Sequence, residues 1–250
     1  MKHVKLLGEF YNESTSFQRL EDNFISYSNS RLGLRISGIR KMTLELYILA
    51  RYGRDLHKDF WNNRAETGFG LRLRFFSRVF LALYTESIRG YYLKVSDEYP
   101  QANENTYDDF RTGLIFWYGW IKPITGKRTI SFPIKPMGEI YSDVSYFQNQ
   151  KHNVISYINV KSGFHILRIW EISLDGYGVI YVAKDVNKDF WNNKVEIGPG
   201  IRLRPIPGLE LKLFAEWLYG IYFGIEGEDI NPYPQKYKNR RIGFTFWYGW

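Results

Sequence analysis

The sequence predicts an all-β chain: an up-and-down antiparallel transmembrane β-barrel of about twelve strands, built from two tandem six-strand repeats. Three observations predict it. Apolar and polar residues alternate with period two over long stretches, and helical periodicity is hard to find. Whole blocks of sequence recur 130 residues apart. The connections alternate between short and long, as in outer-membrane barrels with their short periplasmic turns and long external loops.

Composition sets the outer bounds. The chain has 250 residues, enough for two small domains or one large all-β domain. It has no cysteine, which excludes disulfides, thiol chemistry and cysteine metal sites. Aromatic residues make up 18% of it, more than an ordinary core requires. The formal charge is +8, which fits nucleic acid, anionic headgroups or an anionic polymer. No apolar run reaches the length of a membrane-spanning helix. The segment Met1-Lys2-His3-Val4-Lys5-Leu6 is basic but is followed by no apolar core of a signal peptide. Met1 is therefore expected to open a processed or truncated chain.

The repeat is read from three blocks. Gly8-Glu9-Phe10-Tyr11 recurs as Gly138-Glu139-Ile140-Tyr141, and Lys58-Asp59-Phe60-Trp61-Asn62-Asn63 as Lys188-Asp189-Phe190-Trp191-Asn192-Asn193. Phe116-Trp117-Tyr118-Gly119-Trp120 recurs as Phe246-Trp247-Tyr248-Gly249-Trp250. A period this long belongs to a multi-strand unit, not a propeller blade or solenoid turn. The repeats are expected at 1–120 and 131–250 of a single barrel, with a linker at 121–130.

Six strands are expected in each copy, at roughly 3–13, 22–36, 41–54, 64–76, 78–93 and 109–120, and again 130 residues later. The last is the clearest. Ile242, Phe244, Phe246, Tyr248 and Trp250 share one face; Arg241, Gly243, Thr245, Trp247 and Gly249 share the other. Along the segment from Lys194, Val195, Ile197, Pro199, Ile201 and Leu203 oppose Glu196, Gly198, Gly200, Arg202 and Arg204. Short joins are expected near 37–40 and 76–77, and longer polar ones near 14–21, 55–63 and 94–108.

An apolar face packs inward in water or outward in lipid. Three features favour lipid. Glycines (Gly68, Gly70, Gly198, Gly200) stud the charged face, where glycine is usual if neighbouring groups approach closely. The strands run longer than the usual five or six residues. Aromatics crowd the strand ends, as in the girdles of membrane barrels. The alternative is a soluble β-barrel that binds an anionic ligand.

With the apolar face in lipid, the other face lines a lumen. The expected lumen-lining and solute-contacting residues are Arg72, Arg74, Arg202, Arg204, Glu66, Glu196, Glu86, Glu216, Arg111, Arg241, Tyr47, Tyr177, Trp117 and Trp247. The bland reading is an ion-pair lattice that fixes strand register, because buried charges must pair. The functional reading is a polar conduit that guides a hydrophilic solute, with aromatics suited to sugar stacking. Twelve strands enclose too narrow a lumen for a wide diffusion pore. Trp61, Asn62, Asn63, Trp191, Asn192 and Asn193 are expected on external loops, as turn residues at the rim or as a sugar or phage contact.

Enzyme chemistry finds no motif. His3, His57, His152 and His165 do not recur at the 130 offset, and a barrel lipase needs a Ser–His pair with an orienting group. No paired carboxylates, phosphate loop or metal spacing stands out, so neither a catalytic residue, a cofactor nor a metal is expected. Nucleic-acid binding is disfavoured because the basic residues are mixed with Glu at two-residue spacing.

Tyr141-Ser142-Asp143-Val144-Ser145-Tyr146-Phe147, the strand through Gly163, Gly200-Ile201-Arg202-Leu203-Arg204-Pro205 and the stretch Leu211–Gly220 resemble the C-terminal barrel domain of bacteriophage adsorption protein A. More loosely they are similar to the barrels of exopolysaccharide exporters. The resemblance covers most of the second copy and, more faintly, the first. It implies a place in the bacterial outer membrane, polysaccharide passage or anchoring, and use as a phage receptor through exposure. The aromatic final strand also resembles the signal read by outer-membrane assembly machinery. The chain departs from these exporters in having no helical repeats, and the family offers no catalytic residue to transfer.

Overall fold

The computed structural model describes residues 3–18, 23–39, 42–57, 62–75, 79–93, 106–120, 134–149, 152–170, 172–187, 192–206, 210–223 and 235–250. They form β1 (His3–Phe17), β2 (Asn23–Ile39), β3 (Met42–Asp55), β4 (Arg64–Phe75), β5 (Phe80–Tyr92), β6 (Thr106–Gly119), β7 (Lys135–Phe147), β8 (Asn153–Ile169), β9 (Ile172–Asp185), β10 (Lys194–Arg204), β11 (Glu210–Tyr222) and β12 (Lys236–Gly249). Each strand pairs antiparallel with its neighbours in sequence, and β1 pairs with β12, so the sheet is a closed up-and-down barrel. Closure leaves no sheet edge with unpaired backbone groups.

Closure and the junction of the halves use one register. Across β1 and β12, Glu9 stands opposite Gly249; across β7 and β6, Glu139 stands opposite Gly119. Just past these pairs Trp250 donates its backbone N–H to Gly8 at 3.0 Å, and Trp120 does the same to Gly138 at 3.0 Å. No Cβ could fit at Gly8 or Gly138, because the Trp250 or Trp120 ring lies directly over it. The linker expected at 121–130 lies outside the described residues.

The two barrel ends differ. At one end β2–β3, β4–β5, β8–β9 and β10–β11 are joined by 40–41, 76–79, 170–171 and 205–209; 120–134 also crosses there. At the other end the joins are 18–22, 56–63, 93–105, 148–152, 186–193 and 223–235. We call these the short-turn and long-loop ends.

Alternation is nearly unbroken. From Glu45 to Asp55, β3 alternates buried and exposed residues without a fault. The buried set is Glu45, Tyr47, Leu49, Arg51, Gly53 and Asp55; the exposed set includes Leu46, Ile48 and Tyr52. The largest fully buried side chains include Arg72, Arg202, Glu45, Glu66, Glu86, Glu196 and Glu216, while Leu6, Ile48 and Phe69 are each more than 60% exposed. Buried apolar residues form only small groups, such as Leu7, Tyr47, Leu49 and Ile88.

Two strands start or stop where sequence chemistry misleads. β1 continues through Ser14, Thr15 and Ser16 to Phe17 instead of ending near residue 13. These hydroxyl residues look like turn formers. They are held in the ladder by pairing with β2 and β12 through Phe17, reinforced by side-chain bonds across β1 and β2: Ser14 and Ser26 share a hydrogen bond of 2.8 Å, and the Asn12 amide donates to Ser28 at 2.8 Å. β6 starts at Thr106 rather than 109, anchored by Tyr107, whose hydroxyl donates to Glu66 at 2.6 Å. The lumenal glycines have the expected cause at two matching positions. A Cβ at Gly70 would meet the Tyr47 ring at 2.7 Å, and one at Gly200 would meet the Tyr177 ring at 2.7 Å.

Candidate functional site

The inward wall carries a lattice of ion pairs, built from the strands upward. Alternation turns every second residue of β1–β6 inward, and the inward carboxylates land among arginines of other strands. Glu45 on β3 accepts from Arg72 Nε at 2.5 Å, Arg35 Nε at 2.7 Å and Arg74 Nη1 at 3.3 Å. Arg72 also donates to Glu9 at 2.6 Å. Glu66 on β4 accepts from both Nη atoms of Arg111, at 2.5 and 2.9 Å, and from Tyr107. Arg111 spends its Nε on Asp109 at 2.7 Å. Glu86 on β5 accepts from Arg51 at 2.5 Å and Tyr47 at 3.0 Å.

The second half repeats the pattern with altered chemistry. Asp175 accepts from Arg202 at 3.0 Å, from Arg204 at 2.6 Å and from His165. Arg202 reaches Glu139 at 2.8 Å, as Arg72 reaches Glu9. Glu196 is bound by Arg241 and by Asn239 at 3.2 Å. Glu216 is held by Tyr177 at 3.0 Å, Tyr181 at 2.8 Å and Lys161 at 3.1 Å. Rings support the cations: Arg202 lies over Tyr177 and Arg241 over Tyr181.

Several bonds are chords across the lumen. Arg72 to Glu9 joins β4 to β1, and Lys161 to Glu216 joins β8 to β11. Each of these bonds spans three strand positions, so side chains of non-neighbouring strands meet and fill the lumen at this level.

The fourteen lumenal residues named from the sequence all fall on the inward register of their strands. Trp117 and Trp247 sit apart from the lattice. They lie near the short-turn end of β6 and β12, over Gly119 and Gly249, and are 43% and 45% exposed. At the long-loop end, Asn62 and Asn63 both donate to Asp55, at 2.7 and 3.0 Å, and Asn192 and Asn193 bind Asp185 at 2.8 and 3.0 Å. Asn63 and Asn193 are buried, so their amides hold the join between strands and are not open to an outside partner. Trp61 and Trp191 lie outside the described residues.

Sequence reasoning passed over Asp55 and Asp185, the partners of these asparagines. The spacing Asp-x6-Asn-Asn is the same in both copies, and that was the available signal. It also passed over Tyr181, which stands at the repeat position of Arg51. Among the described residues no group of His, Asp and Glu is arranged to hold a metal. His152 shares a hydrogen bond of 2.5 Å with Tyr146 on the long-loop side.

Fold and site together define a closed twelve-strand barrel with an apolar outer wall and a charged, cross-linked lumen. No protein-family model matches the sequence, and a search of curated proteins gives no match. Among solved structures the chain is similar to the β-domain of the Bordetella autotransporter BrkA, at 11% identity and TM-score 0.42, covering 97% of this chain and 98% of that one. It is also similar to OmpT, an outer membrane protein of Vibrio cholerae, at 10% identity and TM-score 0.37, covering 100% and 99%. A third is the translocator domain of the autotransporter NalP from Neisseria meningitidis, at 10% identity and TM-score 0.31, covering 97% and 88%. The functional reading rests on the barrel's own two faces.

Proposed function

We propose that this chain is a bacterial outer-membrane β-barrel acting as a polar conduit or anchor for surface polysaccharide, with its long loops open to use as a phage receptor. One observation carries the membrane placement: charge is inside and hydrocarbon is outside. Arg72 and Arg202 are 2% and 1% exposed, while Ile48 and Phe69, directly paired on the outer wall, are 62% and 67% exposed. Each buried CH₂ is worth about 0.8 kcal/mol, so a wall of exposed Leu, Ile, Phe and Trp in water forgoes most of what folding offers. Lipid removes that cost, and a closed barrel satisfies every backbone group within it. The repeat enters the proposal as an internal duplication: the ion pairs of Arg72 and of Arg202 are the same device at one offset.

The lattice, the inward Tyr47 and Tyr177, and the narrow lumen support restricted passage of a hydrophilic chain over wide diffusion. The last strand, ending in Trp247, Tyr248 and Trp250, is the segment proposed to meet the assembly machinery. The test has two stages. The protein should partition with outer membranes and migrate differently on detergent gels before and after heating. A monomer that stays soluble without detergent would overturn the membrane reading and favour a soluble barrel binding an anionic ligand. Planar-bilayer recordings then separate conduit from anchor.

A further inference from the structure

We propose that the short-turn mouth of the barrel binds acidic sugar units in its first half, through a surplus of cations beside the paired Phe80 and Trp117. The proposal rests on the polysaccharide reading and deepens it by naming the substrate as anionic.

The surplus is local. In the first half Arg35, Arg72 and Arg74 all converge on the carboxylate of Glu45. A carboxylate offers about four acceptor sites, while each guanidinium has five donors. Arg72 is consumed, being buried and shared with Glu9. Arg35 and Arg74 are not: their side chains are 27% and 30% exposed beside a carboxylate that is fully buried, Arg35 level with Glu45 and Arg74 one inward step nearer the mouth. Lys5 stands directly opposite Arg35 in the β1–β2 register. Like charges so placed destabilise a sheet, so the fold by itself does not call for them.

The second half does not keep the surplus. His165 stands where the first half has Arg35, and Lys212, which stands where it has Ala82, is accompanied by Glu210, which stands where it has Phe80. Lys212 lies 3.4 Å from Glu210 and 3.7 Å from Glu139, so its charge is already met, and Arg204 shares the fully buried Asp175 with Arg202.

The aromatic pair gives the ligand a ring. Arg74 lies over Phe80 at 4.6 Å, and Phe80 is paired with Trp117 on the next strand. In the second half Trp247 is paired with Glu210, a carboxylate that repels an anion, so the site belongs to the first half. A flat apolar face beside exposed guanidinium groups suits a pyranose ring that carries a carboxylate.

Titration calorimetry of the detergent-solubilised barrel tests this, with trigalacturonate as the probe, maltotriose as the neutral sugar and triglutamate as the non-sugar anion. Trigalacturonate should bind at least tenfold more tightly than either, with affinity falling as salt rises. The double variant Arg35→Gln/Arg74→Gln should lose about tenfold for trigalacturonate. Trp117→Leu should lose trigalacturonate binding and leave triglutamate binding unchanged. Both variants should retain heat-modifiable migration, which shows that they fold. Maltotriose binding as well as trigalacturonate, triglutamate matching it with no effect of the tryptophan change, or no binding at all would each overturn the proposal. Binding in micelles requires no conduction. A barrel that binds but never conducts leaves this site standing and removes only the conduit.

Discussion

Arg51 and Tyr181 occupy one position of the repeat, 130 residues apart, and each donates to the carboxylate two strands along: Arg51 to Glu86 at 2.5 Å, Tyr181 to Glu216 at 2.8 Å. A cation in one half is thus a phenol in the other. The difference is absorbed locally. Glu216 has Lys161 at 3.1 Å, whereas the corresponding Arg31 is 3.6 Å from Glu86, and Arg51 shares its charge with Glu66 at 3.6 Å. Arg51→Tyr should therefore cost about 1 kcal/mol, the scale of one hydrogen bond. Glu86→Ala, which leaves Arg51 with Glu66 at 3.6 Å and Arg31 with Glu9 at 3.4 Å, removes charge-assisted bonds and should cost about 2–3 kcal/mol. Urea unfolding of the barrel in lipid vesicles measures both, and equal costs would refute the compensation.

The outer wall offers a test that separates lipid from water. Ile48 lies mid-strand on β3 with its side chain outside. In a bilayer, Ile48→Arg should destabilise the barrel by about 2–4 kcal/mol. In a water-soluble barrel the same change would be neutral and improve solubility. Folding into vesicles, compared for the two proteins, gives the answer.

Gly70 and Tyr47 form a packed pair, since a Cβ at Gly70 would meet the ring at 2.7 Å. Gly70→Ala should cost about 1–3 kcal/mol, the usual range for overpacking. Adding Tyr47→Leu, which removes the ring, should return part of that loss. A double-mutant cycle showing simple additivity would mean that the ring moves freely.

Cutting the lattice should open the lumen. Arg72→Ala/Arg202→Ala removes two chords while leaving Glu45 with Arg35 and Arg74, and Asp175 with Arg204 and His165. The carboxylates keep cationic partners, so the barrel should still fold. Single-channel conductance should rise above that of the parent. Unchanged conductance would place the constriction elsewhere in the lumen.

Asp55 holds the join between β3 and β4 through Asn62 and Asn63. Asp55→Ala leaves the buried Asn63 amide without that partner and should cost about 1–3 kcal/mol. Asp185→Ala should match it, because Asn192 and Asn193 repeat the geometry. Unfolding curves of the two variants should agree within error; a large difference would show that the two long-loop ends are built differently.

Much of the barrel was legible in the sequence. Side chains on a strand alternate between faces, so Ile242, Phe244 and Phe246 against Arg241, Gly243 and Thr245 declares a two-faced wall before any pairing is known. The offset of 130 carries each strand of the first half into the second. Lumenal residues such as Glu66, Arg72 and Glu86 follow from the same alternation. Strand ends were less legible. Ser14, Thr15 and Ser16 favour turns by their local chemistry, and their place in β1 depends on the pairing with Ser26, Ile25 and Phe24 across the ladder.

What the sequence by itself determined is therefore the strand pattern, the two faces and their repetition, because period-two alternation is a local property of the chain. Only the tertiary structure decided which charges meet. Arg72 finds Glu9 three strands away, and Arg111 finds Glu66 two strands away, because closing the sheet brings inward side chains together across a narrow lumen. It also decided that Arg35 and Arg74 share one carboxylate and keep donors free at the mouth, since sharing depends on distances no spacing in the chain encodes.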